Sequence, residues 1–240
     1  MNPTLRTQFA HTSVRRFTDE PVSAEDRALI LEATLRASTS CNLQLTSIIR
    51  VTDPDLRKVM AVCSGHQAHV ETAPEFWVFC ADFHRNRLLC PDADLGWTEQ
   101  FLTATLDTGI MVQNAMIALE SLGLGGCFIG GLRNGVEEAA RQLGLPPDTY
   151  PVLGLAFGHP AEHNALKPRL PAAVTFMENR YEEPAEADLA AYDDTMRAYY
   201  RDRDSNARDA SFRERVRPYL LKERRQFMLD FLQKQGFLLK

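Results

Sequence analysis

A chain of 240 residues, 45% hydrophobic and 25% charged with a net charge of −5, has the balance of an ordinary globule with a sizeable core. No apolar run reaches the roughly 18 residues of a membrane helix, and Met1-Asn2-Pro3-Thr4-Leu5-Arg6 lacks the apolar centre of a signal peptide. A cytoplasmic location is expected, with neither membrane nor nucleic acid as partner, because nucleic acid is usually met by a broadly basic domain.

In chain order, the first notable stretch is His11-Thr12-Ser13-Val14-Arg15-Arg16-Phe17-Thr18, where imidazole, hydroxyl and guanidinium groups crowd together in a manner suited to a small anion. Pro21 to Ala37 predicts a helix: Ser23 can cap it, Asp26 stands where a capping box puts Glu, and Leu29, Ala33 and Ala37 recur on one face. A hydroxyl-rich loop, Ser38-Thr39-Ser40-Cys41-Asn42, separates that helix from a β-like run at Ser47 to Val51. Asp53-Pro54 opens a second helix with Leu56, Val59, Met60 and Cys63 on its apolar face and Gly65 as its stop. Phe76 to Ala81 is continuously apolar, the pattern of a strand covered on both faces. Its expected cover is a long helix from about Thr98 to Leu122. Leu102, Leu106, Ile110, Met111, Ala115, Met116 and Leu119 make that helix apolar on more than one side, which suits a core centre or a subunit interface.

The helix stops at Gly123-Leu124-Gly125-Gly126, and Cys127-Phe128-Ile129 then leads as a strand into Gly130-Gly131. These glycines lack the spacing and the strand-to-helix order of a dinucleotide fingerprint. They make either an ordinary turn or a place where backbone amides approach a flat ligand. A further strand is expected at Val152 to Phe157, ended by Gly158-His159-Pro160, and another β-like run at Ala173 to Met177. Between them Lys167-Pro168-Arg169 forms a second fork of fixed charge, which could join the first in holding a phosphate.

From Glu182 the chain turns charged and helical, with Met196, Tyr199 and Tyr200 on one helix and Phe227, Leu229, Phe231 and Leu232 on a later one. Between Arg197 and Arg225 ten basic residues accompany five acidic ones, a local +5 that leaves −10 to the rest. Such a segment fits either an anionic ligand or a solvated helix face. Strands mixed with long helices and no βαβ rhythm predict an α+β layer fold, with residues 1–181 as its core and 182–240 as a helical extension.

The five cysteines are odd in number and form no close pairs, and Gly65 interrupts the Cys63, His66, His69 grouping, so no disulfide or metal is expected. There is no GxSxG elbow and no candidate triad, which leaves any chemistry to a cofactor.

The motifs along the whole chain resemble the oxygen-insensitive, type A nitroreductases of the flavin reductase P and nitroreductase family. The matching pieces are His11-x-Ser13-x-Arg15-x-Phe17-Thr18-Asp19-Glu20-Pro21, Gln44 with Ser47-Ile48-Ile49-Arg50, and Gly65-x-Gln67-x-His69-Val70. They continue through Glu75 to Phe83, Glu120-Ser121-Leu122-Gly123-Leu124-Gly125-Gly126, Ile129-Gly130-Gly131-Leu132-Arg133-Asn134 and Leu166-Lys167-Pro168-Arg169-Leu170-Pro171. Arg203-x-Ser205-Asn206 and Asp230-x-Leu232-x-Lys234 complete the set.

The resemblance implies a nitroreductase fold with a central mixed or antiparallel sheet flanked by helices, in an entwined homodimer with one FMN in each of two interface sites. It implies that His11, Ser13, Lys167 and Arg169 hold the FMN phosphate, that Arg15 and Gln67 meet the pyrimidine edge, and that Ile129, Gly130 and Gly131 line the flavin with Gly130 N–H near N5. Ser38, Thr39 and Ser40 would reach the cofactor from the other subunit. Arg203 and Arg208 would grip NADPH, with Arg133 and Arg225 as further anion-facing residues. The implied activity is ping-pong transfer of hydride from NADPH through the flavin to a nitroaromatic, nitrofuran, quinone or free flavin. Reduced flavin gathers negative charge at N1 and O2, so a fixed guanidinium beside it favours electrons moving in pairs. An NADPH-dependent flavin reductase is the alternative enzyme, and a non-catalytic flavin or nucleotide sensor the alternative from another class. Thr12 stands where relatives usually carry Arg, and Cys41 and Asn42 replace a serine and an aromatic residue beside the substrate.

Overall fold

The computed structural model describes residues 1–203 and 207–240. Its four strands, β1 (Thr46–Arg50), β2 (Glu75–Asp82), β3 (Gly125–Ile129) and β4 (Thr149–Gly158), form one sheet in the order β1-β2-β4-β3, antiparallel at every pairing. β2 lies second in that order and every one of its residues is buried. Alternation along the strand explains the continuous apolar run: Phe76, Val78 and Cys80 join one core cluster and Trp77 and Phe79 another. Trp77 meets Phe157 of β4 edge-on at 5.1 Å.

The first cluster is closed by α3 (Pro54–Cys63) and α4 (Ala68–Thr72), the second by α2 (Ala24–Leu35) and α6 (Thr98–Ser121). Asp53 caps α3 by accepting from Asp55 and Leu56 N–H at 2.8 Å, and Gly65, at φ 80°, ends its last turn. Ser23 caps α2 by accepting from Asp26 N–H at 2.9 Å, while its hydroxyl donates to the Asp26 carboxylate. The side α2 buries is that of Ile30 and Thr34, not the expected Leu29 face, and Leu29 is 48% exposed. α6 buries Met111, Val112, Ala115, Met116 and Leu119, yet leaves Leu102, Leu106 and Ile110 exposed on the other side. No helix among the described residues is long and apolar enough to cross a membrane.

The chain divides into two compact units, 1–164 with 225–240, and 165–224. The first also contains α1 (Pro3–Phe9), α5 (His84–Leu89), α7 (Val136–Gln142) and α11 (Met228–Lys234). Phe231 and Leu232 of α11, with Phe237, pack among Leu45, Phe83, Tyr150 and Val152, so the end of the chain is part of this unit's core. The second unit comprises α8 (Ala172–Thr175), α9 (Glu186–Arg201) and α10 (Phe212–Leu221) around Tyr192, Met196 and Tyr200. Of the run Ala173 to Met177, expected as β-like, Ala173 to Thr175 are helical instead, while Phe176 is extended and Met177 lies outside any element. Pro171 starts a single turn that buries Val174, and tertiary packing overrides the β-branched propensity of Val174 and Thr175.

Candidate functional site

The segment from His11 to Phe17 is held along β3 and β4 by its backbone. Ser13 bridges Gly126 in parallel, Phe17 bridges Pro160, and Val14 N–H donates to Gly126 O at 3.0 Å. The approach is close: a Cβ on Gly125 would lie 2.6 Å from Val14 Cγ2, so only glycine fits there. Glu162 accepts from Arg15 N–H at 2.8 Å and Arg16 N–H at 3.3 Å. Those bonds hold its carboxyl below the ordinary value against the upward push of burial. Because Glu162 takes backbone groups, neither Arg15 nor Arg16 forms a salt bridge among the described residues, and both side chains stay exposed. Burial pushes the Cys127 thiol up, and the positive charge of the Arg15 guanidinium works the other way. The same guanidinium, after burial, keeps His69 below the ordinary imidazole value. His69 is 9% exposed and its Nε2 has no partner among the described residues. His11 Nδ1 lies 2.6 Å from Glu120 Oε1.

Beyond β3 the chain enters a 3₁₀ turn, Gly130–Gly135. Gln67 Nε2 donates to Ser64 O at 2.7 Å and lies over Gly131, where a Cβ would come within 2.2 Å of it. Gln67 and the glycine pair are therefore brought together. Arg225 donates to Gly130 O at 3.2 Å and to Asn134 Oδ1 at 2.9 Å, and Arg133 donates to Val152 O. These two arginines brace the turn.

The hydroxyl loop is anchored elsewhere in the unit. Thr39 Oγ1 donates to Asp107 Oδ2 at 2.6 Å, and Ser40 donates to Asp107 through its N–H at 3.1 Å and its hydroxyl at 3.0 Å. Thr39 Oγ1 also accepts from Gln44 N–H at 2.9 Å. Ser38 is exposed, and Cys41 and Asn42 follow in left-handed conformations at φ 48° and 57°. Among the described residues the loop makes no hydrogen bond to the His11–Phe17 segment or to Gln67.

In the second unit Lys167, Arg169, Tyr192, Tyr200, Arg215 and Tyr219 contribute to the lining of a cavity of about 430 Å³. Arg169 donates to Lys167 O at 3.2 Å and Tyr192 OH to Pro168 O at 3.0 Å. Lys167, Arg208 and Arg215 lie 5.5–5.7 Å from the centre of the Tyr200 ring, and Arg203 lies 5.8 Å from that of Tyr199. Burial would raise the Tyr200 phenol, yet bonds and charge from Lys167 and Arg215 bring it below its ordinary value. Arg197 and Arg213 are paired with carboxylates, Arg197 with Asp209 and Glu214, Arg213 with Glu186 and Asp193, so part of the basic segment is a salt-bridged helix surface. Ser205 and Asn206 lie outside the described residues.

Residues 10–159 match the Nitroreductase family, and residues 167–240 match the Nitroreductase family, C-terminal domain. The chain belongs to the nitroreductase family. It is 47% identical to the oxygen-insensitive NADPH nitroreductase of Salmonella typhimurium, over 99% of both chains. Among solved structures it is similar to nitroreductase A from Vibrio parahaemolyticus, at a TM-score of 0.95 with 42% identity and full coverage of both chains. It is also similar to the NADPH:FMN oxidoreductase from Vibrio harveyi complexed with NAD+, at a TM-score of 0.94 with 41% identity, again over all of both chains.

As a nitroreductase, the chain has a donor set that suits FMN. An exposed Arg15 without a carboxylate partner, Gln67 over the glycine pair, and the buried unpartnered Nε2 of His69 fit a polar ring edge, and His11 fits a phosphate. Three carboxylates that position these groups escaped the sequence reading: Glu120 behind His11, Glu162 behind Arg15, and Asp107 behind the hydroxyl loop. Only Glu120 carried a signal, an acid in the last turn of a long helix, where the macrodipole disfavours it.

Proposed function

We propose that this chain is an FMN-dependent oxidoreductase that uses NADPH to reduce nitroaromatics, nitrofurans and quinones by two-electron transfer. The observation that carries the reading is the exposed Arg15 guanidinium, on a segment fixed by Glu162 and without a salt bridge among the described residues. Family membership and the full-length likeness to an NADPH nitroreductase support it.

FMN, when bound, supplies the centre that accepts hydride from NADPH and returns it to the acceptor. His11, Ser13, Lys167 and Arg169 hold its phosphate. Arg15 and Gln67 bind the pyrimidine edge, where the fixed charge of Arg15 stabilises developing negative charge without reorganisation. Ile129, Gly130 and Gly131 line the ring, with Gly130 offering its N–H, while Arg225 and Arg133 keep that turn in place. Arg203 and Arg208 take the NADPH phosphate. Tyr199 and Tyr200, lying near these cations, hold the side chains in position.

A homodimer completes the site. The exposed apolar row Leu102, Leu106 and Ile110 on α6, beside Leu31 and Leu35 of α2, suits a second copy of the chain. Ser38, Thr39 and Ser40 then face the other subunit's FMN, and Cys41 and Asn42 border the acceptor. Free flavin is a second acceptor reading, favoured by the likeness to an NADPH:FMN oxidoreductase. Residues 1–181 form the FMN-binding core in this reading, and 182–240 the extension that meets NADPH and embraces the partner.

Steady-state turnover with NADPH plus nitrofurazone, set beside NADPH plus free FMN, separates the two acceptor readings, and turnover with neither would leave a sensor. A purified protein that is colourless and takes up no FMN would overturn the whole proposal.

A further inference from the structure

Glu120 is an acid in an unfavourable place. It sits in the last turn of α6, at the negative end of the helix dipole, and its side chain is only 12% exposed. Burial pushes its carboxyl up, with the hydrogen bond from His11 working against that push. Among the described residues His11 is its only hydrogen-bond partner, at 2.6 Å from Nδ1. Helix stability gives no reason for an acid here, whereas a ligand-binding imidazole does. When Nδ1–H is donated to a carboxylate, the tautomer and the ring orientation are both fixed. Nε2, which makes no hydrogen bond among the described residues, is the nitrogen left for a ligand. In the doubly protonated ring Nε2–H donates to a phosphate oxygen, with Glu120 as counter-charge on the far side.

We propose that Glu120 is the positioning residue for phosphate binding: it orients His11 so that Nε2 meets the FMN phosphate. The proposal rests on the reading of His11 as a phosphate ligand. A purely structural pair would instead tie the N-terminal segment to α6 and act on the fold alone.

The test is a double-mutant cycle on the full chain with His11→Ala, Glu120→Gln and both together. Dissociation constants for FMN and for riboflavin, which lacks the phosphate, are read from quenching of flavin fluorescence. Glu120→Gln is expected to weaken FMN roughly tenfold, to leave riboflavin within about twofold, and to add no further loss once His11→Ala is present. Glu120→Asp, which keeps the charge but retracts it by one methylene, should fall between wild type and Glu120→Gln. The ¹⁵N shifts of the His11 ring should also report a changed tautomer balance in Glu120→Gln. Equal losses of FMN and riboflavin would overturn the proposal because the pair would then be acting on the fold, and a full additive loss in the His11→Ala background would overturn it because Glu120 would then act independently of His11. An FMN affinity lowered by His11→Ala but untouched by Glu120→Gln would overturn the orienting role alone. If His11→Ala leaves FMN affinity unchanged, the phosphate reading of His11 fails and the proposal fails with it.

Discussion

Replacing Gly131 by Ala should damage both the fold and the flavin site. The new Cβ would stand 2.2 Å from Gln67 Nε2 and 2.5 Å from Ser64 O, against an ordinary contact of about 3.5 Å. The Gln67 amide can swing away, but only by giving up its 2.7 Å bond to Ser64 O, worth about 1 kcal/mol. Ser64 O is backbone at the end of α3 and cannot swing; displacing it is an overpacking cost of about 1–3 kcal/mol. The combined loss is about 2–4 kcal/mol, which for a chain of this length lowers the melting temperature by roughly 4–16 °C. Thermal denaturation, with bound flavin read from the visible spectrum, measures both effects. Gly123→Ala is the comparison: at φ 79° it carries only left-handed strain, about 1–2 kcal/mol, and its Cβ meets nothing within 4 Å. A Gly131→Ala protein that melts within about 1 °C of wild type and keeps its flavin would refute the reasoning.

Glu75 is 3% exposed and takes bonds from Arg50 at 2.6 and 2.7 Å, Arg27 at 3.2 Å and Trp77 at 3.0 Å. Burial raises its pKa but these partners outweigh burial and leave it below the ordinary 4.5. A depressed carboxylate stabilises the fold above its unfolded value and loses that contribution as pH falls through the folded value. Stability measured by urea should therefore drop below about pH 4.5 in wild type, and less steeply in Glu75→Gln. At neutral pH Glu75→Gln should be about 2 kcal/mol less stable, a figure reduced because Arg50 is 43% exposed. Asp107→Ala leaves the Thr39 and Ser40 donors unpaired and should cost about 1–3 kcal/mol. By loosening the loop that carries Cys41 and Asn42 it should raise the KM for a nitroaromatic while stopped-flow reduction by NADPH keeps its rate; a slowed NADPH step with unchanged acceptor KM would count against the loop assignment. Arg203→Ala should raise the NADPH KM roughly tenfold with FMN still bound, and an unchanged KM would sink that role.

Periodicity made the layers legible. The unbroken run Phe76 to Ala81 reads as a strand between two covers, and β2 feeds both clusters. Asp53-Pro54 and Gly65 mark the ends of α3 because capping is local chemistry. Ala173 to Met177 misled because four or five residues carry too little pattern to outweigh a proline start and a burial site for Val174. The candidate donors were named through motif resemblance, whereas the carboxylates that bond to them were not. Asp107 lies 68 residues from Thr39 and Glu120 lies 109 from His11, and no local pattern in a sequence announces a pairing across such distances.

Pairing also divides the arginines of the first unit by task. Arg27 and Arg50 meet Glu75, Arg87 meets Asp148, Arg85 meets Asp82, and Arg57 donates to the carbonyls of Val51 and Ala73. Each of these charges is answered within the fold and holds a strand end, a helix end or a turn. Arg15 differs for a specific reason: the carboxylate bonded to its segment, Glu162, takes the backbone N–H groups of Arg15 and Arg16, so it fixes the segment without forming a salt bridge to the guanidinium. A positive charge that is anchored but not paired is what a site needs if negative charge is to arrive with the ligand, since a resident carboxylate would cancel the field before the ligand bound. The carboxylate that is bonded to the opening segment through a side chain, Glu120, answers His11, the one member whose two nitrogens let it hold a partner behind and a phosphate in front.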